Sequence, residues 1–309
     1  MASQLRQVDN LTHSLVGALI GQAGLKKKSG LAMPALIIGA NLPDVDAACF
    51  FWLEGVEHLA FRRGITHGPP ALVLLPLILA GLLWGWDRWQ TSRGRRPEKR
   101  LPVHFGWLYA LALIGCLTHP ALDWMNVYGI RLLEPFSSRW FYGDVLFIID
   151  VWLWLLMGIG LWLSFRREKR GGDWRRLARN VLGIAGLYLA ANYAISQYDR
   201  MQNGAFVETI SSPPPLAFWQ RQSIGVSGSG SFFVAGERVG SKPLAACDLD
   251  AARDRNAQVD AFLFWSRAPV LDQLEDGSYQ LADARYYAVR DGRFSVIVPN
   301  EFCLEPVGG

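Results

Sequence analysis

Residues 103–123 read VHFGWLYALALIGCLTHPALD, and the placement of this stretch decides the fold. Val103 to Leu122 is predominantly apolar, about the twenty residues a helix needs to cross the ~30 Å hydrocarbon core of a bilayer. The run then closes on Thr118-His119-Pro120-Ala121-Leu122-Asp123, an imidazole and a carboxylate at the end of membrane-type sequence. Ionisable groups are costly there and mark function by default. Working outward, comparable apolar stretches lie at 11–25, 31–53, 69–87, 145–165 and 178–197. The first is short, and the second is broken by Asn41-Leu42-Pro43-Asp44. A large soluble bundle with buried helices is the plainer alternative. Unbroken runs such as 145–165, with five Phe or Trp residues, favour a multi-pass transmembrane helical bundle. Lys26-Lys27-Lys28 follows the first apolar stretch instead of preceding it, so retained helices are expected in place of a cleavable signal peptide.

Charge orients the spans. Sixteen basic residues fall in three connections, at Lys26–Lys28, between Arg88 and Arg100, and between Arg166 and Arg179. The intervening connections, 54–68 and 123–144, hold Arg62, Arg63, Arg131 and Arg139. The positive-inside rule puts the three basic connections in the cytoplasm and the region after residue 197 outside, which is the periplasm of a Gram-negative host. A net charge of +4 is too small to argue for a nucleic-acid partner. From Tyr198 the composition becomes that of a soluble domain, so the domains expected are 1–197 in the membrane and 198–309 on the outer face. Stretches 231–234, 261–265 and 294–298 read as strands, with turns at Asp276-Gly277 and Asp291-Gly292, giving a small antiparallel β-rich domain.

On this topology Thr12-His13, Pro43-Asp44-Val45-Asp46, Arg63-Gly64-Ile65-Thr66-His67 and His119 with Asp123 all reach the outer end of their spans. His119 and Asp123 are four apart, on one helical face, and can reach one metal if the helix continues through Pro120. A helix-end histidine bonded to a nearby carboxylate is the plainer alternative. Of Asp44 and Asp46, one can cap the following helix while the other binds metal, and Asp44 is the better ligand candidate. Arg63 is suited to clamp an anionic oxygen, or else pairs with Glu57 or lipid headgroups; Thr66 suits a cap on the next helix. His13 taken alone reads as a capping or interfacial histidine. Asp150, in the stretch 145–165, is a candidate for direct coordination or for orienting a ligand histidine. His104 lies fifteen residues before His119, about 22 Å along a helix, and is excluded from the site. His58 has no support. Residues 126–136 form an outer loop that could cover the site. Cys49 and Cys116 read as inert packing residues, and Cys247 with Cys303 belong to a domain where a disulfide is permitted.

The ordered set Thr12-His13, Pro43-Asp44-x-Asp46, Arg63-Gly64-x-Thr66-His67, His119-x-x-x-Asp123 and Gly129-x-x-Leu132-Leu133-x-Pro135-Phe136 resembles the YdjM-like family, over roughly residues 9–165. Those are bacterial inner-membrane proteins regarded as metal-dependent hydrolases. The family is similar in turn, distantly, to the zinc-dependent phospholipase C and single-strand nuclease superfamily. That resemblance implies His13, Asp44, His67, His119 and Asp123 as metal ligands, with Asp123 suited to bridging. The chain departs by lacking the N-terminal Trp ligand and any His after His119, which reduces the expected count to one or two zinc ions.

The resulting expectation is a bilayer-embedded hydrolase that cleaves an ester or phosphoester, lipid-linked given the depth of the site, with a metal-activated water. Asp46 or Asp150 would act as base or support the ligands, and Arg63 would stabilise developing negative charge. The alternatives are a metal transporter, which would want polar residues continuing inward beyond His104, and a structural scaffold for the outer domain. The sequence names no protein partner.

Overall fold

In the computed structural model, which describes residues 10–214, 216–287 and 292–303, the chain forms two units. The first takes the chain up to Val45 with Arg63–Ile195 and Pro213–Gln220. The second takes Asp46–Arg62, Ser196–Ser212 and the chain from Arg221 onward. The main divide falls two residues before the expected one, but Asp46–Arg62 joins the C-terminal unit and Pro213–Gln220 the N-terminal one.

Helices α1 (Asn10–Gln22) and α2 (Ala32–Gly39) open the first unit; α3 (His58–Phe61) belongs to the second. Helices α4 (Pro69–Ser92), α5 (Phe105–Trp124), α6 (Val151–Lys169) and α7 (Trp174–Gln202) follow. After α2 the chain bends by 52° into a 3₁₀ segment, Leu42–Phe51, at the expected break. Pro69 and Pro70 start α4, where a missing N–H costs nothing. No side chain caps it, so Thr66 does not have the capping role expected. Helix α5 runs through Pro120 without a break, which keeps His119 and Asp123 on one face.

The stretch 145–165 departs from expectation. Asp150 accepts a hydrogen bond from the Leu153 N–H at 2.8 Å and caps α6, so the helix starts at Val151. Residues Val145 and Leu146 instead donate their N–H groups to the Met125 carbonyl and pack into the core. The apolar part of α6 is thereby cut to Val151–Phe165, about 22 Å. Among the described residues two helices, α4 and α5, are long and apolar enough to cross a membrane, or three spans if the bent pair counts as one. Of the apolar window of α4, 17% is buried; Val73, Leu74, Leu77, Ile78 and Leu82 face outward, as lipid contact requires.

Two cores hold this unit. One joins Leu19 of α1 to Leu153, Met157, Ala178 and Val181. The other joins Ala32, Ala35 and Leu36 to Leu79, Leu108, Leu111 and Ala112. Helices α2 and α5 touch backbone to backbone through glycines: a Cβ on Gly39 would lie 2.6 Å from the Ala112 carbonyl oxygen, and one on Gly115 would lie 2.4 Å from that of Leu36. Small residues permit such approach between membrane helices. Replacing Gly115 by Val should therefore overpack the pair and cost about 1–3 kcal/mol, read as a lower detergent melting temperature.

The second unit is mixed. Strands β1 (Glu208–Ser212), β2 (Gln222–Val226), β3 (Phe232–Val234) and β4 (Glu237–Val239) form one antiparallel sheet in sequence order. After α8 (Leu249–Arg255) and α9 (Ala257–Trp265), strands β5 (Pro269–Gln273), β6 (Tyr279–Asp283) and β7 (Ser295–Val298) form a second. The expected strands at 231–234 and 294–298 and the turn at Asp276-Gly277 are present. The expected turn at Asp291-Gly292 includes Asp291, which lies outside the described residues. Stretch 261–265 is helical instead of extended. Asn256 caps α9 by accepting from the Gln258 and Val259 N–H groups, and burial of Val259, Phe262 and Trp265 follows the helical period. Cys247 and Cys303 form a disulfide, whereas Cys49 and Cys116 are buried and free.

Beneath this layer Asp283 and Arg285 form a buried two-pronged ion pair at 2.7 and 2.8 Å, with Ser266 donating to the same carboxylate. Burial alone would push the Asp283 carboxyl up; Arg285 and these hydrogen bonds outweigh it and hold it below the usual carboxylate range. The pair's contribution is complete above ~4, the unfolded carboxylate value, and is lost as pH falls through the lower folded value. Asp283→Asn in the full chain should cost about 3–5 kcal/mol at pH 7, with the deficit relative to wild type shrinking in acid below pH ~4. Denaturant unfolding followed by near-UV circular dichroism at both pH values measures it.

Candidate metal centre

Four segments of the first unit bring their acid and imidazole groups to one place. His13 comes from the first turn of α1, Asp44 from the 3₁₀ segment after α2, and His67 from the short 3₁₀ turn Ile65–His67 before α4. His119 and Asp123 come from the last two turns of α5. All five are buried, none more than 8% exposed. The break between α2 and Asp44 is held by Asn41, whose side-chain amide donates to Ser14 Oγ of α1 at 3.0 Å and to the Ile37 carbonyl at 2.7 Å.

His119 sits at the centre. Its Nδ1 is 2.7 Å from the Ala40 carbonyl oxygen, which can only accept, so Nδ1 carries the proton. In the neutral ring Nε2 then presents a lone pair, and it faces Asp123 Oδ2 at 3.5 Å and Asp44 Oδ2 at 3.6 Å. His119 Nε2 has no hydrogen-bond partner among the described residues. These three acceptors converge in a buried space, where Arg63, 3.0 Å from the same Asp123 oxygen, offsets the charge of one carboxylate and leaves that of Asp44 facing the ring. The ligand atoms of His13, Asp44 and His119, and those of His67, His119 and Asp123, each lie within 4.8 Å of one another. The donor set of neutral imidazoles and carboxylates suits zinc and similar borderline ions. One imidazole nitrogen takes one ion, so the two overlapping sets share His119 and cannot both use it.

The supporting groups fix the rings. Thr66 Oγ1 lies 3.0 Å from His67 Nδ1, leaving Nε2 to face Asp123 Oδ2 at 3.5 Å. His13 stacks on His119 with ring centroids 3.8 Å apart, and its Nε2 is 3.5 Å from Asp123 Oδ1. Such partners to ligand side chains set tautomer and orientation.

Arg63 is placed differently from an open anion clamp. Its Nε pairs with Asp123 Oδ2 at 3.0 Å, Nη1 donates to Asn126 Oδ1 at 2.8 Å, and the guanidinium lies 4.7 Å from the Tyr128 ring centroid. The expected pairing with Glu57 is not the one formed; Arg63 orients Asp123 and ties it to the loop after α5. It does so from a left-handed backbone, φ 55°, a conformation of the sort that concentrates at functional sites. Asp150 accepts from Leu153 through Oδ1 and from the Tyr188 hydroxyl through Oδ2 at 2.8 Å. It shares with Thr12, His13, Arg63, Asp123, Asn126 and Phe147 the wall of a small, partly enclosed cavity of about 20 Å³, water-sized space. Asp46 belongs to the second unit and pairs with Arg62 at 3.3 Å. His58, in the same unit, contacts the Gly55 carbonyl, and His104 precedes the first turn of α5.

Sequence reading missed the Ala40 carbonyl, the Thr66 contact and Tyr188. A backbone acceptor leaves no residue signature, and a lone Tyr on α7 has none either. Asn126 was legible only as part of a covering loop.

No curated protein and no solved structure compared with the chain matches it. The sequence model of one family, described as YdjM inner membrane protein, matches residues 8–199. This range covers more than half of the chain and contains every residue of the buried cluster, the cavity wall and both apolar helices. The chain accordingly belongs to the YdjM inner membrane protein family.

Proposed function

We propose that the chain is a membrane-bound, metal-dependent hydrolase acting on an ester or phosphoester. The observation that carries this reading is the His119 ring, pinned by Ala40 so that its free nitrogen meets two carboxylate oxygens in a buried space. His13, Asp44, His67, His119 and Asp123 would hold one zinc-type ion, or two with Asp123 shared between them. An ion held there acts as a Lewis acid and lowers the pKa of a bound water towards ~7. Arg63 keeps the Asp123 carboxylate turned into the cluster and limits its charge. Asp150, on the wall of the same cavity and braced by Tyr188, is placed to take a proton from a water or reacting hydroxyl. Thr12, also on that wall, is held by the Trp154 indole N–H at 2.7 Å. The match to an inner-membrane family and the outward-facing apolar surface of α4 support a substrate drawn from the bilayer.

A second reading, a metal-binding scaffold or transporter without hydrolysis, uses the same ligands and leaves Asp150 without chemistry. A protonated His119 paired with Asp44 and Asp123 is the third way to fill the gap. Metal analysis of detergent-purified protein separates them, combined with assays on generic phosphomonoesters and phosphodiesters with and without chelator. The expected outcome is about one or two zinc-type ions per chain, with activity abolished by chelator. His119→Ala and Asp123→Ala should lose the metal, while Thr66→Val should weaken its retention about 10–100-fold. Unchanged metal content in both alanine variants would sink the site, and bound metal with no activity on any ester would favour the scaffold.

The multi-pass topology extends the same proposal. The basic connections near residues 26–28, 88–100 and 166–179 would face the cytoplasm, and the cluster with the second unit would face the periplasm. The disulfide between Cys247 and Cys303 supports an oxidising side for that unit. A phosphatase reporter fused after residue 171 should be inactive, and one fused at the C-terminus active; an active reporter at 171 would overturn this orientation.

A further inference from the structure

The basic connections hold sixteen cationic residues against three acidic ones, Glu98, Glu168 and Asp173. Asp87, buried at the end of α4, takes Arg100 at 2.8 Å and Arg96 at 3.2 Å and so folds the following loop back on the helix. Glu168 takes Lys26. Other cations sit on aromatic faces, among them Arg88 over Trp84 at 4.4 Å, Arg93 over Trp89 at 5.9 Å, Lys28 over Trp107 at 5.0 Å, Arg166 over Trp162 at 4.7 Å and Arg175 over Trp174 at 5.2 Å. All five cations are exposed, and among the described residues none has an ion-pair or side-chain hydrogen-bond partner. A ring quadrupole attracts a cation but leaves its charge uncompensated. Their charge is therefore open to water, mobile ions or a bound anion from outside the protein.

The place such an anion would occupy is a groove along the last turns of α4. Trp84, Arg88, Trp89, Thr91, Ser92 and Val103 line about 660 Å³ of open space there, with Asp87, whose charge Arg96 and Arg100 already neutralise. Trp and Arg or Lys together at the end of an apolar helix mark the headgroup level of a bilayer. The hydroxyls at this end are already used within the helix, Thr91 on the Asp87 carbonyl and Ser92 on that of Trp89. The groove thus offers positive charge and apolar ring faces but few unused donors. That combination fits a headgroup with a single diffuse negative charge and an acyl chain beside it, and fits a small hydrophilic anion poorly.

We infer that the groove of Trp84, Arg88, Trp89 and Val103 is a binding site for an anionic phospholipid of the leaflet that faces the basic connections, distinct from the buried cluster. Its phosphate pairs with the exposed guanidinium of Arg88. Basic surface at this depth attracts anionic lipids by a modest increment per cation.

Native mass spectrometry of the full chain in mild detergent tests it, with phosphatidylglycerol and phosphatidylcholine of identical chains as probes and glycerol phosphate as the soluble control. The expected result is a retained phosphatidylglycerol adduct at least tenfold tighter than phosphatidylcholine, and no glycerol phosphate adduct. Arg88→Gln should weaken phosphatidylglycerol about fivefold. Arg139→Gln, in the loop beyond the other end of α5, should change nothing. Arg88→Lys, which keeps the charge on the groove wall, should retain the phosphatidylglycerol adduct and so separates loss of charge from a lowered melting temperature. Equal retention of the two lipids, equal binding of glycerol phosphate, or the same loss in Arg139→Gln would each overturn the assignment, and none of these readouts depends on bound metal.

Discussion

The hydrogen bond from His119 Nδ1 to the Ala40 carbonyl is local, but much of the first unit is arranged to make it possible. Ala40 follows the end of α2, and it can reach α5 because Gly39 and Gly115 let the two backbones close to contact. A side chain at either glycine would separate the helices and withdraw the carbonyl. With it would go the reason for His119 to expose Nε2 to Asp44 and Asp123. The close-packed interior of the helix pair and the chemistry of the cluster therefore share one constraint: the approach distance of α2 and α5. Helix geometry supplies the remainder, since Asp123 sits one turn beyond His119 on the same face.

Much of this was legible in residues. The apolar runs 69–87 and 103–122 announced α4 and α5, because a continuous hydrophobic stretch of that length has few other stable states. The five clustered His and Asp residues drew attention because such groups are costly in apolar sequence, but only the family resemblance named them as one set. What failed to show was anything decided by a competing local bond. Residues 145–150 look as apolar as the helix after them, yet the Asp150 cap and the two bonds to the Met125 carbonyl end the helix early. Residues 261–265 alternate weakly enough to suggest a strand, and the Asn256 cap tips them into a helix. The role of Arg63 followed the same course: its charge was plain, but only the fold shows that Asp123 and Asn126 already use it.

Charge divides the chain by connection. The three basic connections carry cations resting on tryptophan faces, while the buried cluster gathers two carboxylates and three imidazoles around a single neutralising guanidinium, Arg63. An excess of positive charge open to solvent and a pocket of acceptors closed to it pose opposite electrostatic problems. On the two proposals above, a surrounding lipid would answer the first and a bound cation the second.

The second unit has a consequence for how the chain is made. Its helix α3 packs against α9, with Leu59 fully buried, although the two are separated in the chain by almost the whole of the first unit. During synthesis, residues 46–62 emerge early and have no complete partner until the last hundred residues follow. A fragment cut at the apparent boundary near residue 197 would leave that surface of α9 bare. The C-terminal unit is thus not a detachable module, and residues 46–62 must wait until α9 has been made.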